Sequence, residues 1–182
     1  ATIALVYAFL GPYFPGILSH GGFALDEIAP FQYLRTDGIF GVPLGVSASF
    51  IFLFVLFGAV LSVSGAGQFF IDLSIALTGK SRGGPAKAAV VASALMGTVS
   101  GRSVANTVTT GAFTIPLMKT AGYRSEFAGA IVAAASTGGQ VMPPVMGAAA
   151  FIMAQFLGIS YWDIVVAAAI PAALYFFSIW AM

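Results

Sequence analysis

Two short strings concentrate the oxygen donors of this chain. Ser100-Gly101-Arg102-Ser103, followed by Asn106 and Thr110, interrupts a run of small and apolar residues. Ser136-Thr137-Gly138-Gly139-Gln140 interrupts a second run, just ahead of Pro143-Pro144. Hydroxyl, amide and carbonyl oxygens without a carboxylate among them suit a weakly held, dehydrated Na⁺ better than Mg²⁺ or Ca²⁺, which take carboxylates. Arg102 is a cation set deep in an apolar stretch, and its planar fork suits a substrate carboxylate. The alternative is a tip residue that reaches into cavity water. Ser, Thr and Gly in membrane helices also serve close packing, which stays open for any one of these residues. Two such clusters, each at a helix break and one flanked by Pro-Pro, favour an ion or substrate site.

The background around these strings excludes most other chemistry. Of 182 residues, 59% are hydrophobic and 7% charged, where a soluble domain carries about 25% charge. Mean hydropathy is +1.00. So few charges could not cover a water-exposed globule, and the chain reads as an all-α, polytopic membrane protein. Net charge is +1, which gives no footprint for nucleic acid. The absence of cysteine excludes disulfides and thiolate chemistry, and a single histidine, His20, argues against a histidine metal site. His20 sits in a polar, glycine-flanked loop and reads as solvated. Gly79-Lys80-Ser81 lacks the upstream glycine of a phosphate loop, since Ser74 holds that place. In Ser62-Val63-Ser64-Gly65, Ser62 stands where a nucleophile elbow needs glycine. Asp72 and Asp163 lie near interfaces, and Met142, Met146 and Met153 read as gap-filling. No set of acid, base and nucleophile assembles, so no enzyme and no cofactor is expected.

The elements that must position the two strings follow from length and punctuation. Residues 1–18 read as the tail of a span, ended by Gly11-Pro12 and Pro15-Gly16. Residues 19–40 form a polar stretch with a weak helical stripe interrupted by Pro30, placed at the interface. Residues 42–64 are a span, and 66–78 continue it with Phe69, Leu73 and Leu77 on one face. One helix over 42–78 would be about 55 Å long, against a hydrocarbon core of about 30 Å. The chain therefore bends at Ser64-Gly65-Ala66-Gly67, and 66–78 becomes a surface arm.

Two basic clusters follow: Lys80, Arg82 and Lys87, then Lys119 and Arg124. About 31 residues lie between them, whereas two crossings need about 40 and one crossing would put the second cluster outside. A re-entrant helical hairpin over about 86–118, turning at Ser100–Ser103, satisfies both counts. Residues 124–157 read as a broken transmembrane helix that stops at Ser136–Gln140 and restarts at Pro143-Pro144. A final span, about 160–181, is flanked by Tyr161-Trp162 and by Tyr175 and Trp180, with Pro171 as a kink. Three parts result: 1–82, spans with an arm helix; 83–158, hairpin plus broken helix; and 159–182, a following helix. The chain opens on Ala1 within an apolar run and stops at Met182, so it is expected to be a segment of a longer protein.

The strings GGPAKAAVVASALMGTVSGRSVANTVTTGAFTIPLMKTAGY (83–123) and EFAGAIVAAASTGGQVMPPVMGAAAFIMAQFLG (126–158) resemble the large membrane subunit of TRAP (tripartite ATP-independent periplasmic) transporters. GPYFPGILSHGG and GIFGVPLGVSASFIFLFVLFGAVLSVSGAGQFF extend that resemblance, whose nearest branch is the fused TAXI-type permeases. The resemblance implies an elevator-type, ion-coupled importer in the bacterial inner membrane, of which this chain is one inverted repeat with part of the scaffold. It implies a periplasmic binding protein and the remaining half of the permease as partners, with small organic acids as cargo. Na⁺ is the expected coupling ion, with H⁺ as the alternative. Carried onto this sequence, it frames one Na⁺ site from Ser100, Gly101, Ser103, Ser136, Thr137 and Gly138. Substrate then lies near Arg102, Asn106, Thr110 and Pro143. Two positions depart from the branch: Arg102 stands where a third small tip residue is expected, and Val132 where Glu is. Both make the site more positive. A channel with the hairpin as its pore loop is the rival reading.

Overall fold

The computed structural model describes residues 2–181. Ala1, Met182 and the side chains of Thr2 and Ser62 lie outside the described residues, and with them the chain ends and the first position of the Ser62–Gly65 string. Helices and short turns account for the regular structure, and the described residues hold no strand. Contacts divide the chain into two units, residues 1–45 and 46–182.

In the first unit, α1 (Thr2–Leu10) ends at Gly11-Pro12, and α2 (Leu25–Leu34) runs through Pro30 rather than stopping there. Asp26 and Glu27 occupy the first turn of α2, and a Glu27 carboxylate oxygen accepts from the Ala24 N–H at 3.4 Å. Acid at a helix N-terminus offsets part of what the proline removes. His20 is half-buried, not simply solvated. Its Nδ1 accepts from the Gly22 N–H at 3.2 Å, so Nε2 carries the proton and donates to the Tyr7 carbonyl at 3.1 Å. Both ring nitrogens are thus spent on local backbone.

The stretch Val42–Leu61 is long and apolar enough to cross a membrane, with mean hydropathy 2.5 and only 6% of it buried. A soluble core helix of that hydropathy would be covered, so this one needs lipid or protein around it. It contains α3 (Val42–Val46), a wider turn over Ser47–Ile51, and α4 (Phe52–Val63). The bend comes where expected: Gly65 has φ +88°, and α5 (Ala66–Thr78) departs from it. The face that α5 buries is Gly67, Ile71 and Ser74, while Phe69 and Leu77 point outward. That face carries small residues because close approach selects them. A Cβ on Gly67 would sit 3.1 Å from the Thr109 methyl of the neighbouring hairpin.

That hairpin is α6 (Gly84–Ser100) and α7 (Ser103–Thr120), joined by Gly101 and Arg102. Gly83 at one end lies beside Tyr123 just past the other, where a Cβ would be 3.4 Å from the tyrosine hydroxyl. The pair therefore returns to the end it started from. α8 (Ser125–Gly138) packs along both legs through Ala89, Met118, Ala128 and Val132, all fully buried. α9 (Ala148–Leu157) and α10 (Tyr161–Trp180) complete the unit. α10 is the second stretch able to cross, with mean hydropathy 1.8. It starts on a Ser160 cap that accepts from the Trp162 N–H, and it continues through Pro171. In the full-length protein in its membrane, cysteines replacing the exposed Arg82 and Lys119 should label from one and the same side. Labelling from opposite sides with an impermeant thiol reagent would contradict the return.

Candidate functional site

Both chain breaks are visible, and they touch. α6 stops after Ser100 because Gly101 takes the left-handed conformation (φ +58°), its N–H capping the Gly97 carbonyl at 3.2 Å. Arg102 is extended and exposed, and its carbonyl accepts from the Asn106 N–H at 3.0 Å to start α7. The second break falls later than its sequence suggests. Ser136 and Thr137 still belong to α8, and the irregular segment runs from Gly139 to Gly147. Pro143 and Pro144, joined by a cis bond, sit inside that segment and do not start the next helix. Each proline lacks an N–H and restricts the residue before it, so helix resumes only beyond Gly147.

The contact between the breaks is made by glycine. A Cβ on Gly97 would lie 2.6 Å from the Gly139 Cα, and one on Gly101 would collide with the Met146 carbonyl oxygen. Met146 is itself held at φ +51°, and the Gly147 N–H donates to the Gln140 carbonyl at 2.7 Å. One side-chain bond crosses between the breaks: Gln140 Nε2 donates to Ser103 Oγ at 2.9 Å. Two half-helix C-termini, those of α6 and α8, thus meet two half-helix N-termini. Each C-terminus leaves carbonyls without intrahelical partners, and each carries about half a negative charge.

Beneath the tip, Asn106 Nδ2 donates to the Ser93 carbonyl at 2.9 Å and ties the returning leg to the entering one. The Thr110 hydroxyl donates to the Asn106 carbonyl at 2.7 Å and lies 3.3 Å from Ser93 Oγ. Against this background of satisfied groups, three buried side-chain oxygens among the described residues have no partner: Ser100 Oγ, Asn106 Oδ1 and Ser136 Oγ. A buried polar atom left unpaired costs about 1–3 kcal/mol. All three belong to the segments that the Gly97–Gly139 contact draws together, and Asn106 itself flanks Gly139, where a Cβ would be 3.0 Å from its Nδ2.

The remaining predicted residues fall around this junction in different ways. Thr137 is exposed and donates to the Ala133 carbonyl at 2.8 Å. Gly138 is buried against α10, where a Cβ would be 2.5 Å from the Tyr175 ring. Pro143 is half-buried. Asn106 and Thr110 lie inside the hairpin rather than at its surface. Sequence reasoning assigned no role to Ser93, Gln140, Gly97 or the Met146 carbonyl. Gln140, a polar residue within the break, was the signal available for one of them. Among the described residues, no group of three His, Cys, Asp or Glu could hold a metal.

Residues 1–182 match the family described as Tripartite ATP-independent periplasmic transporter, DctM component. The chain belongs to this family. Among its relatives is the 2,3-diketo-L-gulonate TRAP transporter large permease protein YiaN of Escherichia coli (strain K12), 30% identical over 59% of this chain and 25% of the relative. The C4-dicarboxylate TRAP transporter large permease protein DctM of Vibrio cholerae is 37% identical over 50% of this chain and 20% of the relative. The isethionate TRAP transporter permease protein DctMQ of Oleidesulfovibrio alaskensis is 28% identical over 70% and 19%. The chain thus spans about a quarter or less of the length of these relatives, which are transporter permeases and not enzymes. No solved structure matches it.

The glycine contact makes a paired prediction. Gly122 has φ +91° with no atom within 4 Å of a Cβ placed there. Gly122→Ala should therefore cost only left-handed strain, about 1–2 kcal/mol. Gly101→Ala adds the collision with Met146, another 1–3 kcal/mol or so of overpacking. Thermal unfolding of the detergent-solubilised permease should show the larger loss at Gly101. Equal losses would mean that tip and break do not press together.

Proposed function

We propose that this chain forms one half of the ion-coupled transport core of a TRAP permease, and that the junction of its two breaks holds the coupling Na⁺. The observation that carries the reading is the set of orphaned oxygens, Ser100 Oγ, Asn106 Oδ1 and Ser136 Oγ, at the place where two helix C-termini converge. Neutral oxygens beside the negative ends of two helices attract a monovalent cation without holding it permanently, as a transport cycle requires. Gly101 and Ser103 border the site from the tip, whereas Thr137, exposed, and Gly138, packed against α10, are not assigned to it. None of these groups titrates near neutral pH, which favours Na⁺ over H⁺. Arg102, exposed on the tip, is positioned to pair with a substrate carboxylate or sulfonate. Dicarboxylate, keto-sugar acid and sulfonate appear in the names of the relatives, and a small organic anion is the cargo class proposed here. Asn106 and Thr110, buried inside the hairpin, hold the tip in shape from below, and half-buried Pro143 is left to border the cargo.

In this reading α6–α7 is a re-entrant hairpin opening to the cytoplasm, residues 83–158 are the moving repeat of an elevator, 1–82 its scaffold side and 159–182 the next span. A periplasmic binding protein and the rest of the permease are its partners in a multi-pass assembly in the bacterial inner membrane. Placement in the fused TAXI branch rests on the motifs quoted above.

Full-length permease reconstituted with its binding protein should take up substrate only down a Na⁺ gradient. Joint replacement Ser100→Ala and Ser136→Ala should raise the Na⁺ concentration for half-maximal uptake about a hundredfold, as loss of two contacts to a charge predicts. An unchanged Na⁺ dependence removes these serines from the site. Passive, ion-independent flux would replace the transporter by a channel.

A further inference from the structure

We infer that the cavity bounded by the start of α6, the start of α8 and the end of α10 binds the headgroup of an anionic phospholipid. This inference uses the membrane setting of the family and is independent of the ion site. The 17 residues of α6, about 25 Å of helix, separate the two places.

The cavity has a volume of about 500 Å³ and two chemically distinct zones. Arg82 and Lys87 supply its charge. Among the described residues neither is paired with a carboxylate: Asp72, the nearest acid in sequence, accepts from Gln68 Nε2 at 2.8 Å, and Glu126 is engaged by Arg124 at 3.6 Å. The Lys87 ammonium stands 4.2 Å above the Trp180 ring, a contact that positions the charge while leaving its other donors free. Below the cations the lining becomes apolar with Val90, Ile131 and Ile179. Tyr123 and Phe127, stacked with ring centroids 6.0 Å apart, form a flat side wall.

A phosphodiester fits the cationic zone, and glycerol with the first acyl carbons fits the apolar one. A free phosphate or a soluble nucleotide would use the first zone and leave the second wet. The location agrees. Both basic clusters gather at this end of the helices, which the positive-inside rule places at the cytoplasmic leaflet. Trp180 sits at the end of a candidate span, where indole rings favour the interface. Basic pockets between helices at that level recruit anionic headgroups.

Full-length permease should be purified and returned to nanodiscs of phosphatidylcholine with graded phosphatidylglycerol or cardiolipin. Wild-type protein should retain phosphatidylglycerol or cardiolipin over phosphatidylcholine in native mass spectrometry, and its unfolding temperature should rise with the anionic fraction. Arg82→Gln and Lys87→Gln should each weaken retention about fivefold, the worth of one interfacial cation. Lys119→Gln with Arg124→Gln, charges at the same end but outside the cavity, should not. Equal retention of the zwitterionic lipid by the wild type overturns the proposal without recourse to any variant. So does equal loss in the control pair, or the same thermal shift produced by inorganic phosphate.

Discussion

Backbone groups released by an interrupted helix must find partners wherever water is excluded, at several kcal/mol for each failure. In this chain each interruption meets released groups within its own turn, as Gly101 N–H does at the Gly97 carbonyl and Gly147 N–H at the Gln140 carbonyl, and the two then press together. Gly97 admits the backbone at Gly139, and Gly101 lies against the Met146 carbonyl. Gln140 reaches across to Ser103. The contact between the breaks explains why glycine stands at 97, 101 and 139, and why Met146 accepts a left-handed backbone that non-glycine residues rarely adopt.

The helices around that junction are built to let it close. Water provides no driving force between apolar helices in lipid, so dispersion contacts and interhelical hydrogen bonds must hold them. α6, α7 and α8 accordingly meet through Ala89, Ala128, Val132 and Met118, with Gly111 opening room for the Val132 side chain. Asn106, Thr110 and Thr114 line the inner face of α7 at intervals of four, and both threonines return their hydroxyls to carbonyls one turn back. The polar cost inside the hairpin is thereby met locally. Among the described residues only Asn106 Oδ1, Ser100 Oγ and Ser136 Oγ are left over, at the seam rather than scattered through the bundle.

Much of this was readable from the sequence, and the limits have physical causes. Glycine, proline and charge punctuate the chain clearly enough that the turn at 101–102 and the bend at Gly65 fall where expected. Counting residues between basic clusters anticipated a helix pair that returns on itself. The second break was misplaced because Pro-Pro was read as a helix start, when it delays the start to Ala148. The buried face of α5 was missed because in a chain this apolar, hydrophobicity no longer distinguishes inside from outside, and the small residues Gly67 and Ser74 do. The pairings Gly97–Gly139 and Gln140–Ser103 join positions some forty residues apart, and no local pattern encodes them.

The charge balance at the junction constrains how it can work. Helix ends contribute only partial charges, the orphaned oxygens are neutral, and Arg102 adds a full positive charge at the tip. On the reading proposed above, a lone cation would bind such a site only weakly. An anionic cargo beside Arg102 would restore the balance and make cation binding more favourable, and by linkage the bound cation would favour the anion equally. Coupling would then arise from electrostatics between two ligands, each a poor guest alone, with no titrating side chain involved. Val132 takes no part in that balance: it is fully buried against Gly111 and packed with Ala89, Met118 and Ala128, where a side chain serves helix packing.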